Sequence, residues 1–341
     1  MVIIPERYAR QALVSEIGEA GQQAIRQSRV VVIGLGALGS NIANILARAG
    51  VGSLCLVDRD FVDWTNLQRQ GLYEEEDAAN SLPKAVAAKN RLARINSEVD
   101  YEVVVDDVNS GNVEKIISGA TVVLDGLDNF YTRALINEAC VKMGIPWIYG
   151  GCIATYGSTA TFVPGITPCF NCLFPGVSGH TSPFTCDTVG VLGPIAFMVA
   201  AWEASEALKI LVGKKDQVSR GLTFIELWHN SVTIAPVERL QGCPVCEKKE
   251  FTLLNRSGDL MTTSLCGRKA VQVVPAGSTK INFELTLETL SKIFRVEHNA
   301  YLLRFRCGEY EIVLFRDGRA IVFGTEDPQV ARSLYGRYIG G

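Results

Sequence analysis

The sequence contains 341 residues, enough for one large or two modest domains with a substantial core. A hydrophobic fraction of 48%, a charged fraction of 20% and a formal net charge of -3 are typical of a globular protein and exclude a global basic field. No Lys/Arg run is dense enough for nucleic-acid binding, and the longest apolar stretch is too short to span a bilayer. Ten cysteines without an apolar signal segment indicate the reducing cytoplasm.

Strand and helix patterns alternate through the first half of the chain. The predicted strands are Arg29–Ile33, Ser53–Val57, Tyr101–Val105, Thr121–Leu124 and Pro146–Tyr149, and the predicted helices are Leu38–Ala49, Lys84–Ile95 and Asn129–Met143. This β-α-β alternation predicts an α/β fold with a Rossmann-like, mostly parallel sheet and helices on both faces. Later predicted elements are the strands Tyr156–Val163 and Leu222–Leu227 and the helix Pro194–Val212.

The composition changes after Cys246, where the polar stretch GCPVCEKKE predicts a surface loop. Beyond it the predicted strands are Ala270–Val274, Ala300–Arg306, Tyr310–Phe315 and Arg319–Val322, and the predicted helices are Leu287–Phe294 and Pro328–Tyr338. The dipeptide Asp317-Gly318 between two of these strands is a hairpin signal. We therefore expect a first domain over residues 1–250 and a small α+β domain over residues 251–341.

A glycine-rich turn joins the first predicted strand to its helix in VVVIGLGALGSNIANILARAG. Gly34, Gly36 and Gly39 have the spacing G-x-G-x-x-G, which is usually associated with NAD or FAD. The same turn can hold the phosphates of ATP, because exposed amides and the helix dipole attract any phosphate. Asp58, about twenty residues beyond the last glycine, can accept both ribose hydroxyls. The pattern predicts a nucleotide site but does not choose the nucleotide.

Further polar residues follow later strands in positions that a dinucleotide does not require. Asn66 and Arg69 come just after the second predicted strand, Lys84 begins a predicted helix, and Asp128 follows another strand. Taken singly, each is typical of a solvated loop. The carboxyl ends of parallel strands meet at one sheet edge, however, where cations neutralise phosphates and one carboxylate can hold Mg²⁺. The set therefore favours Mg-ATP over NAD.

Two Cys-x-x-Cys pairs, Cys169/Cys172 and Cys243/Cys246, offer the four thiolates of a closed structural zinc site. A redox-active pair and two unrelated reduced pairs are the alternatives. Three other cysteines lie in apolar patterns typical of core residues, namely Cys55, Cys140 and Cys307.

Several segments taken together resemble one family in its own order along the chain. They are RYARQ, GLGALGS, VDRDFVDWTNLQRQ, PKA, LDGLDN, CFNC, CDTVGVLGP and CPVC. The sequence resembles the ThiF/MoeB/HesA family, the bacterial and archaeal relatives of ubiquitin-activating enzymes. The resemblance implies ATP-dependent adenylation of the C-terminal Gly-Gly carboxylate of a ubiquitin-like sulfur-carrier protein, with release of pyrophosphate. It strengthens the zinc interpretation of the cysteine pairs.

The resemblance also implies roles for individual residues. Asp58 would bind ribose, while phosphate contacts would come from Asn66, Arg69 and Lys84. Asp128 would coordinate Mg²⁺, and Arg10 would reach the nucleotide from the partner subunit of a homodimer. Cys186 falls where some relatives become covalently linked to the carrier, whereas other relatives stop at the adenylate. A cysteine desulfurase or another sulfur donor would be a further partner.

The second predicted domain departs from the minimal family pattern and lacks a sulfurtransferase signature. A dimer-stabilising or carrier-docking module is favoured over a second catalytic thiol at Cys266. The terminal Gly340-Gly341 echoes the tail that such enzymes adenylate, although a chance or frayed end is favoured over self-modification. Alternative functions are adenylation of another peptide or small-molecule carboxylate, NAD-dependent oxidoreduction, and nucleotide binding without catalysis.

Overall fold

The computed structural model describes residues 4–176, 189–255, 262–265, 269–274 and 281–339. The described residues form two compact units: residues 4–176 and 190–255 belong to the first, and Val189 together with the described residues beyond 255 belongs to the second. Among these residues, no helix combines the length and the apolar character that crossing a membrane requires.

A single mixed sheet forms the centre of the first unit. Its strands are β1 Arg29–Ile33, β2 Ser53–Val57, β3 Asp100–Val104, β4 Val122–Asp125, β5 Trp147–Ile153, β6 Tyr156–Phe162, β7 Gly221–Glu226 and β8 Ser231–Pro236. Their order across the sheet is β3-β2-β1-β4-β5-β6-β7-β8. Strands β1 to β5 are parallel, whereas β6 to β8 continue the sheet in antiparallel fashion. The predicted Rossmann-like, mostly parallel sheet is confirmed.

Helices cover both faces of this sheet. They are α1 Ala9–Ala12, α2 Gly18–Arg26, α3 Ala37–Ala49, α4 Glu75–Ala79, α5 Lys84–Ile95, α6 Val113–Ile117, α7 Phe130–Met143, α8 Phe170–Leu173 and α9 Gly193–Leu211. One apolar core contains residues of α3, α5 and α9, and the other contains residues of α6 and α7. Val30 and Val32 of β1 enter the first core, whereas Val31 and Ile33 enter the second. A strand buried on both faces reads as a continuous apolar run.

Two strands of the sheet differ from the sequence prediction by more than one residue at an end. Strand β5 does not end at Tyr149 but continues through Gly150 to Ile153. An added Cβ on Gly150 would overlap the carboxyl of Glu203 on α9, so this glycine permits a close approach rather than ending the strand. Strand β8 escaped prediction because it is an edge strand whose apolar side chains stay about half exposed, which leaves no buried alternation to detect.

The described residues of the second unit form a six-stranded antiparallel sheet with two helices. Its elements are β9 Thr262–Leu265, β10 Ala270–Val273, α10 Phe283–Ser291, β11 Val296–His298, β12 Leu302–Cys307, β13 Tyr310–Phe315, β14 Ala320–Phe323 and α11 Pro328–Tyr338. The strand order is β11-β12-β13-β14-β10-β9. Asp317-Gly318 forms the predicted hairpin between β13 and β14, with Gly318 at a φ of 86°. The predicted α+β class of this part of the chain is confirmed.

The carboxyl ends of β1 and β4 form the crevice of the first unit, because the strand order reverses between them. The glycine turn after β1 packs there directly against the turn after β4. An added Cβ on Gly126 would overlap the carbonyl oxygen of Gly34, and one on Gly39 would overlap the same oxygen. Gly34 itself has a φ of 83°. Only glycine allows the two backbones to approach this closely.

We expect Gly126→Ala to force these two turns apart and to lower the free energy of unfolding of the first unit. Overpacking of this kind typically costs about 1–3 kcal/mol. Denaturant unfolding measures the change, and Gly336→Ala is the control, since Gly336 lies in α11 with nothing within 4 Å of its added Cβ. A Gly126→Ala variant as stable as this control would contradict the close-packing argument.

Candidate active site and metal centre

The amino end of α3 borders the crevice between β1 and β4. Gly36 caps this helix, and an added Cβ there would meet nothing closer than 3.9 Å. The first turn of a helix presents backbone N–H groups that have no partner within the helix, and the helix dipole favours anions there. The predicted phosphate turn is therefore accessible on the side of Gly36 and tightly packed on the sides of Gly34 and Gly39.

Asp58 ties the end of β2 to the glycine turn. Its carboxylate oxygen Oδ2 accepts a hydrogen bond from the Leu35 N–H at 2.6 Å, and Oδ1 accepts one from the Asp60 N–H at 2.7 Å. Burial raises the pKa of Asp58, while the ammonium of Lys84 opposes that rise. Each carboxylate oxygen keeps a second lone pair that can accept a hydrogen bond from a hydroxyl group. Asp58 can therefore hold the turn and a ribose at the same time.

Lys84 is a charged residue held almost completely inside the protein. It begins α5, is only 4% exposed, and places its Nζ 3.7 Å from Asp60 Oδ2. Buried lysines require an anionic partner, because an unpaired ammonium is costly to remove from water. Asp60 and Asp58 supply that negative charge here. The structure thus brings together Lys84 and Asp58, which the sequence analysis assigned to one site.

Asn66 and Arg69 lie on the chain that follows β2, where both stabilise the local backbone. Asn66 is 1% exposed, and its Oδ1 accepts a hydrogen bond from the Asp63 N–H at 3.1 Å, which caps the 3-10 turn Trp64–Asn66. Arg69 is half-buried and donates from Nη1 to the Thr65 carbonyl oxygen at 2.8 Å. Their contacts with phosphates remain predictions.

Asp128 lies exposed in the turn after β4, next to Asn129, which caps α7. Arg59, directly after β2, lies within electrostatic range of this carboxylate. Burial lowers the pKa of Arg59, but neighbouring carboxylates outweigh that effect and raise it. Those carboxylates belong to Asp107, Asp60, Asp128 and Asp58. The acidic groups that follow β2, β3 and β4 therefore surround one guanidinium, and the sequence analysis did not single out Arg59.

Arg10 lies in α1, at the other end of α3 from the glycine turn. The ring of Tyr8 packs against Gly50, and Gln11 Nε2 donates to the Ala49 carbonyl oxygen at 2.9 Å. These contacts fix the segment at the carboxyl end of α3, whose thirteen residues span about 20 Å. The structure therefore does not bring Arg10 to the nucleotide crevice of its own chain.

The four cysteines of the two Cys-x-x-Cys pairs meet in space. The Sγ atoms of Cys169 and Cys172 are 3.8 Å apart, those of Cys169 and Cys243 3.7 Å, and those of Cys172 and Cys246 3.5 Å. A tetrahedral zinc site with Zn–S bonds of about 2.3 Å places its sulfurs about 3.8 Å apart. The cluster therefore has the composition and spacing to hold a zinc ion, and it joins the start of α8 to the loop after β8.

Comparison with known families decides the classification of the chain. A model described as the ThiF family matches residues 8–245. This chain belongs to the ThiF family. The resemblance that the sequence motifs indicated is thereby confirmed.

One relative is the "Sulfur carrier protein ThiS adenylyltransferase" of Bacillus subtilis (strain 168), to which this ThiF-family chain is 42% identical over 341 residues. That alignment covers 98% of this chain and 99% of the relative. The chain is 36% identical over 241 residues to the "SAMP-activating enzyme E1" of Haloferax volcanii, which covers 71% of this chain and 88% of the relative. A crystal structure of Escherichia coli MccB with MccA-N7isoASN matches with a TM-score of 0.63 at 23% identity, over 72% of this chain and 75% of that one, and it supports the fold alone.

Several residues that the sequence analysis named lie outside the described part of this ThiF-family chain. They are Cys186, Cys266 and the terminal Gly340-Gly341. Covalent transfer of a carrier to Cys186 therefore stays a prediction. The three cysteines assigned to the core are buried as expected, with exposed fractions of 1% for Cys55, 2% for Cys140 and 6% for Cys307.

This ThiF-family chain also contains a buried charged cluster that no sequence motif indicates. Asp125 at the end of β4, Arg133 in α7 and Glu203 in α9 are 0%, 4% and 0% exposed. The acid that ends the apolar run VVLD was the only local signal. The spacing does not show that Arg133, eight residues later, pairs with Asp125. By sequence pattern, Asp125 is an ordinary residue at a strand end and Arg133 is an ordinary helix residue.

We expect the purified chain to contain about one zinc ion held by the four thiolates. Cys243→Ser should release it and lower the thermal midpoint, because structural zinc contributes folding free energy directly. Zinc content by atomic absorption and thermal unfolding measure the two effects. Cys140→Ser is the control, since Cys140 is equally buried but belongs to an apolar core. Retention of zinc by Cys243→Ser would rule out the four-cysteine centre.

Proposed function

We propose that this chain catalyses the ATP-dependent adenylation of the C-terminal Gly-Gly carboxylate of a ubiquitin-like sulfur-carrier protein. The observation that carries the proposal is Lys84, a buried cation beside Asp58 at the glycine turn. A cation in this place suits the charge of a triphosphate, whereas NAD has no β and γ phosphates that need it. The Bacillus relative is named as the adenylyltransferase of a sulfur carrier protein and the Haloferax relative as a SAMP-activating enzyme, and both names support an adenylation of this kind here.

The reaction joins a carrier carboxylate to the α-phosphate of ATP. A carboxylate oxygen attacks the α-phosphorus, the bond to the bridging oxygen breaks, and pyrophosphate leaves with the electron pair. Lys84, Arg69 and the amide groups at the amino end of α3 would stabilise the charge on the phosphates. Asp58 would accept the ribose hydroxyls, and Asn66 would add a phosphate contact.

Asp128 would hold Mg²⁺ beside the phosphates. Mg²⁺ is commonly bound through one or two carboxylates and keeps several water molecules, so an exposed carboxylate at the mouth of the crevice fits it. When bound, the ion would add positive charge next to the triphosphate.

A homodimer would complete the site with Arg10 of the second subunit. The position of α1 at the carboxyl end of α3 supports this arrangement, because Arg10 cannot reach the crevice of its own chain. Two adjacent apolar side chains of α9 are exposed and offer surface that a second subunit would cover, with Phe197 48% and Met198 38% exposed.

We expect exchange of labelled pyrophosphate into ATP that depends on a carrier protein ending in Gly-Gly. Asp128→Ala should lower the exchange rate by at least about 100-fold, as is typical for loss of one electrostatic group at a reacting phosphate. Asp216→Ala is the matched control, because Asp216 is exposed in a 3-10 turn beyond α9. Undiminished exchange in Asp128→Ala, or tighter binding of NADH than of Mg-ATP, would contradict the proposal.

Mixing two inactive variants tests the shared site. Arg10→Ala and Asp128→Ala should each be inactive alone but should regain about a quarter of wild-type exchange when their subunits are mixed. Random exchange makes half of the dimers mixed, and each mixed dimer has one intact site.

A mixture of Lys84→Ala and Asp128→Ala is the control and should stay inactive, because both residues would serve the site of their own chain. An inactive Arg10→Ala/Asp128→Ala mixture with demonstrated subunit exchange would show that Arg10 does not act across the interface.

A further inference from the structure

A buried ion pair lies under the turn that carries Asp128. Asp125 is the last residue of β4, and Arg133 is the fourth residue of α7. Arg133 Nε donates to Asp125 Oδ2 at 2.8 Å. Burial raises the pKa of Asp125 to about 6, although the guanidinium of Arg133 opposes the rise. The pair therefore places charge in a low-dielectric region, where every hydrogen bond to it is strong.

Asp125 and Arg133 also form hydrogen bonds with the two backbone polar groups of Leu127, its N–H and its carbonyl oxygen. Asp125 Oδ1 accepts a hydrogen bond from the Leu127 N–H at 2.7 Å. Arg133 Nη2 donates to the Leu127 carbonyl oxygen and to the Gly150 carbonyl oxygen, each at 2.6 Å. The turn after β4 is thus fastened to the end of β4, to α7 and to β5 through one guanidinium.

The surroundings direct the guanidinium toward these acceptors. The ring of Tyr149 lies over it, with its centroid 4.8 Å from Arg133 Cζ. Glu203 packs against Gly150, and burial together with the Asp125 carboxylate raises the pKa of Glu203 well above its usual value. Among the described residues, the hydrogen bonds of the Arg133 guanidinium go to Asp125 and to the carbonyl oxygens of Leu127 and Gly150 rather than to Glu203.

Leu127 connects this buried pair to the nucleotide crevice. Gly126, on one side of it, packs against the backbone of Gly34 and Gly39. Asp128, on the other side, is the exposed carboxylate at the mouth of the crevice. Any rotation of the Leu127 peptide groups would therefore disturb the packing of Gly126 against the glycine turn and would at the same time displace the Asp128 carboxylate.

We propose that Arg133 is a positioning residue of the adenylation site, which sets the turn Gly126–Asp128 through the Leu127 carbonyl and so places the Asp128 carboxylate. The inference rests on the proposed function of Asp128 as the ligand of Mg²⁺. Arg133 touches neither nucleotide nor metal in this arrangement. Its effect passes through the backbone of the turn.

Lysine at this position separates positioning from charge neutralisation. A lysine ammonium can neutralise the Asp125 carboxylate, but it lacks the planar fork that reaches a carboxylate and two carbonyl oxygens at once. Arg133→Lys should therefore keep the charge balance of the core and release the Leu127 carbonyl. A purely structural role predicts that this variant changes stability alone.

The test is calorimetric titration of the full chain with ATP, in EDTA and in Mg²⁺. Mg²⁺ should tighten ATP binding by the wild type, and Arg133→Lys should lose about 10-fold or more of that gain, as is typical when the partner of a metal ligand is removed. Its affinity for ATP in EDTA should stay within about twofold, because the glycine turn and α3 remain. The Mg²⁺ concentration for half-maximal pyrophosphate exchange should rise in parallel.

Arg29→Lys is the matched control. Arg29 is the first residue of β1, so it lies at the amino ends of the parallel strands, away from the crevice, and it donates to the carbonyl oxygens of Ile116 and Ser118 and to Glu102. This variant should keep the full Mg²⁺-dependent gain in ATP affinity. If Arg133→Lys lowers the thermal midpoint but also keeps the full gain, Arg133 is structural only and the inference is overturned.

Two further variants keep the outcome interpretable. If Arg133→Lys does not fold, the double variant D125N/R133Q replaces both charges of the pair with neutral amides and should show the same loss of the Mg²⁺-dependent gain. A full gain in this double variant overturns the inference. Asp128→Ala should abolish the gain. If Asp128→Ala retains it, the proposed function of Asp128 fails and the inference fails with it, a result distinct from failure at Arg133 alone.

Discussion

The contact between two backbone turns is the constraint on which the nucleotide crevice depends. The carbonyl oxygen of Gly34 occupies the space where side chains of Gly39 and Gly126 would lie. Because Gly39 and Gly126 carry no side chains, the amino end of α3 can approach the end of β4. A phosphate bound at the helix terminus would then have the amides of one turn on one side and Asp128 of the other turn close by. The glycines thus determine how close the amino end of α3 lies to the turn that carries Asp128.

The charged residues around this crevice also serve the fold. Asp58 holds the glycine turn through the Leu35 N–H, and Lys84 is paired with Asp60. Buried charges without partners would be costly, so each group needs an internal counter-charge. The same pairing restricts the side chains to one arrangement, which reduces the reorganisation that binding and reaction require.

The elements that the sequence predicted well are those with a strong local pattern. Strand β1 was exact because it is buried on both faces, so its apolar run is continuous. Strand β5 was predicted too short, because glycine usually ends a strand. Glycine is required at position 150 because the carboxyl of Glu203, 53 residues later in the chain, leaves no room for a side chain there. Strand β8 has no buried face to produce an alternation. The residues around the crevice follow the same rule, since the glycines and Asp58 form a local motif, whereas Arg59 and Arg133 belong to no such motif.

By itself, the sequence determined the family, the glycine turn, the acid after β2 and the four cysteines that could form a metal centre, because each is a short pattern whose residue types carry the chemistry. Only the tertiary structure decided that the two cysteine pairs meet, although 74 residues separate Cys169 from Cys243. It also decided that Arg10 lies about one helix length from the crevice of the same chain. The hydrogen bond from Arg133 to the turn that carries Asp128 was likewise visible only in the structure. Spacing along the chain records which residues are neighbours on one element. Contacts between separate elements depend on how those elements pack, which no local pattern contains.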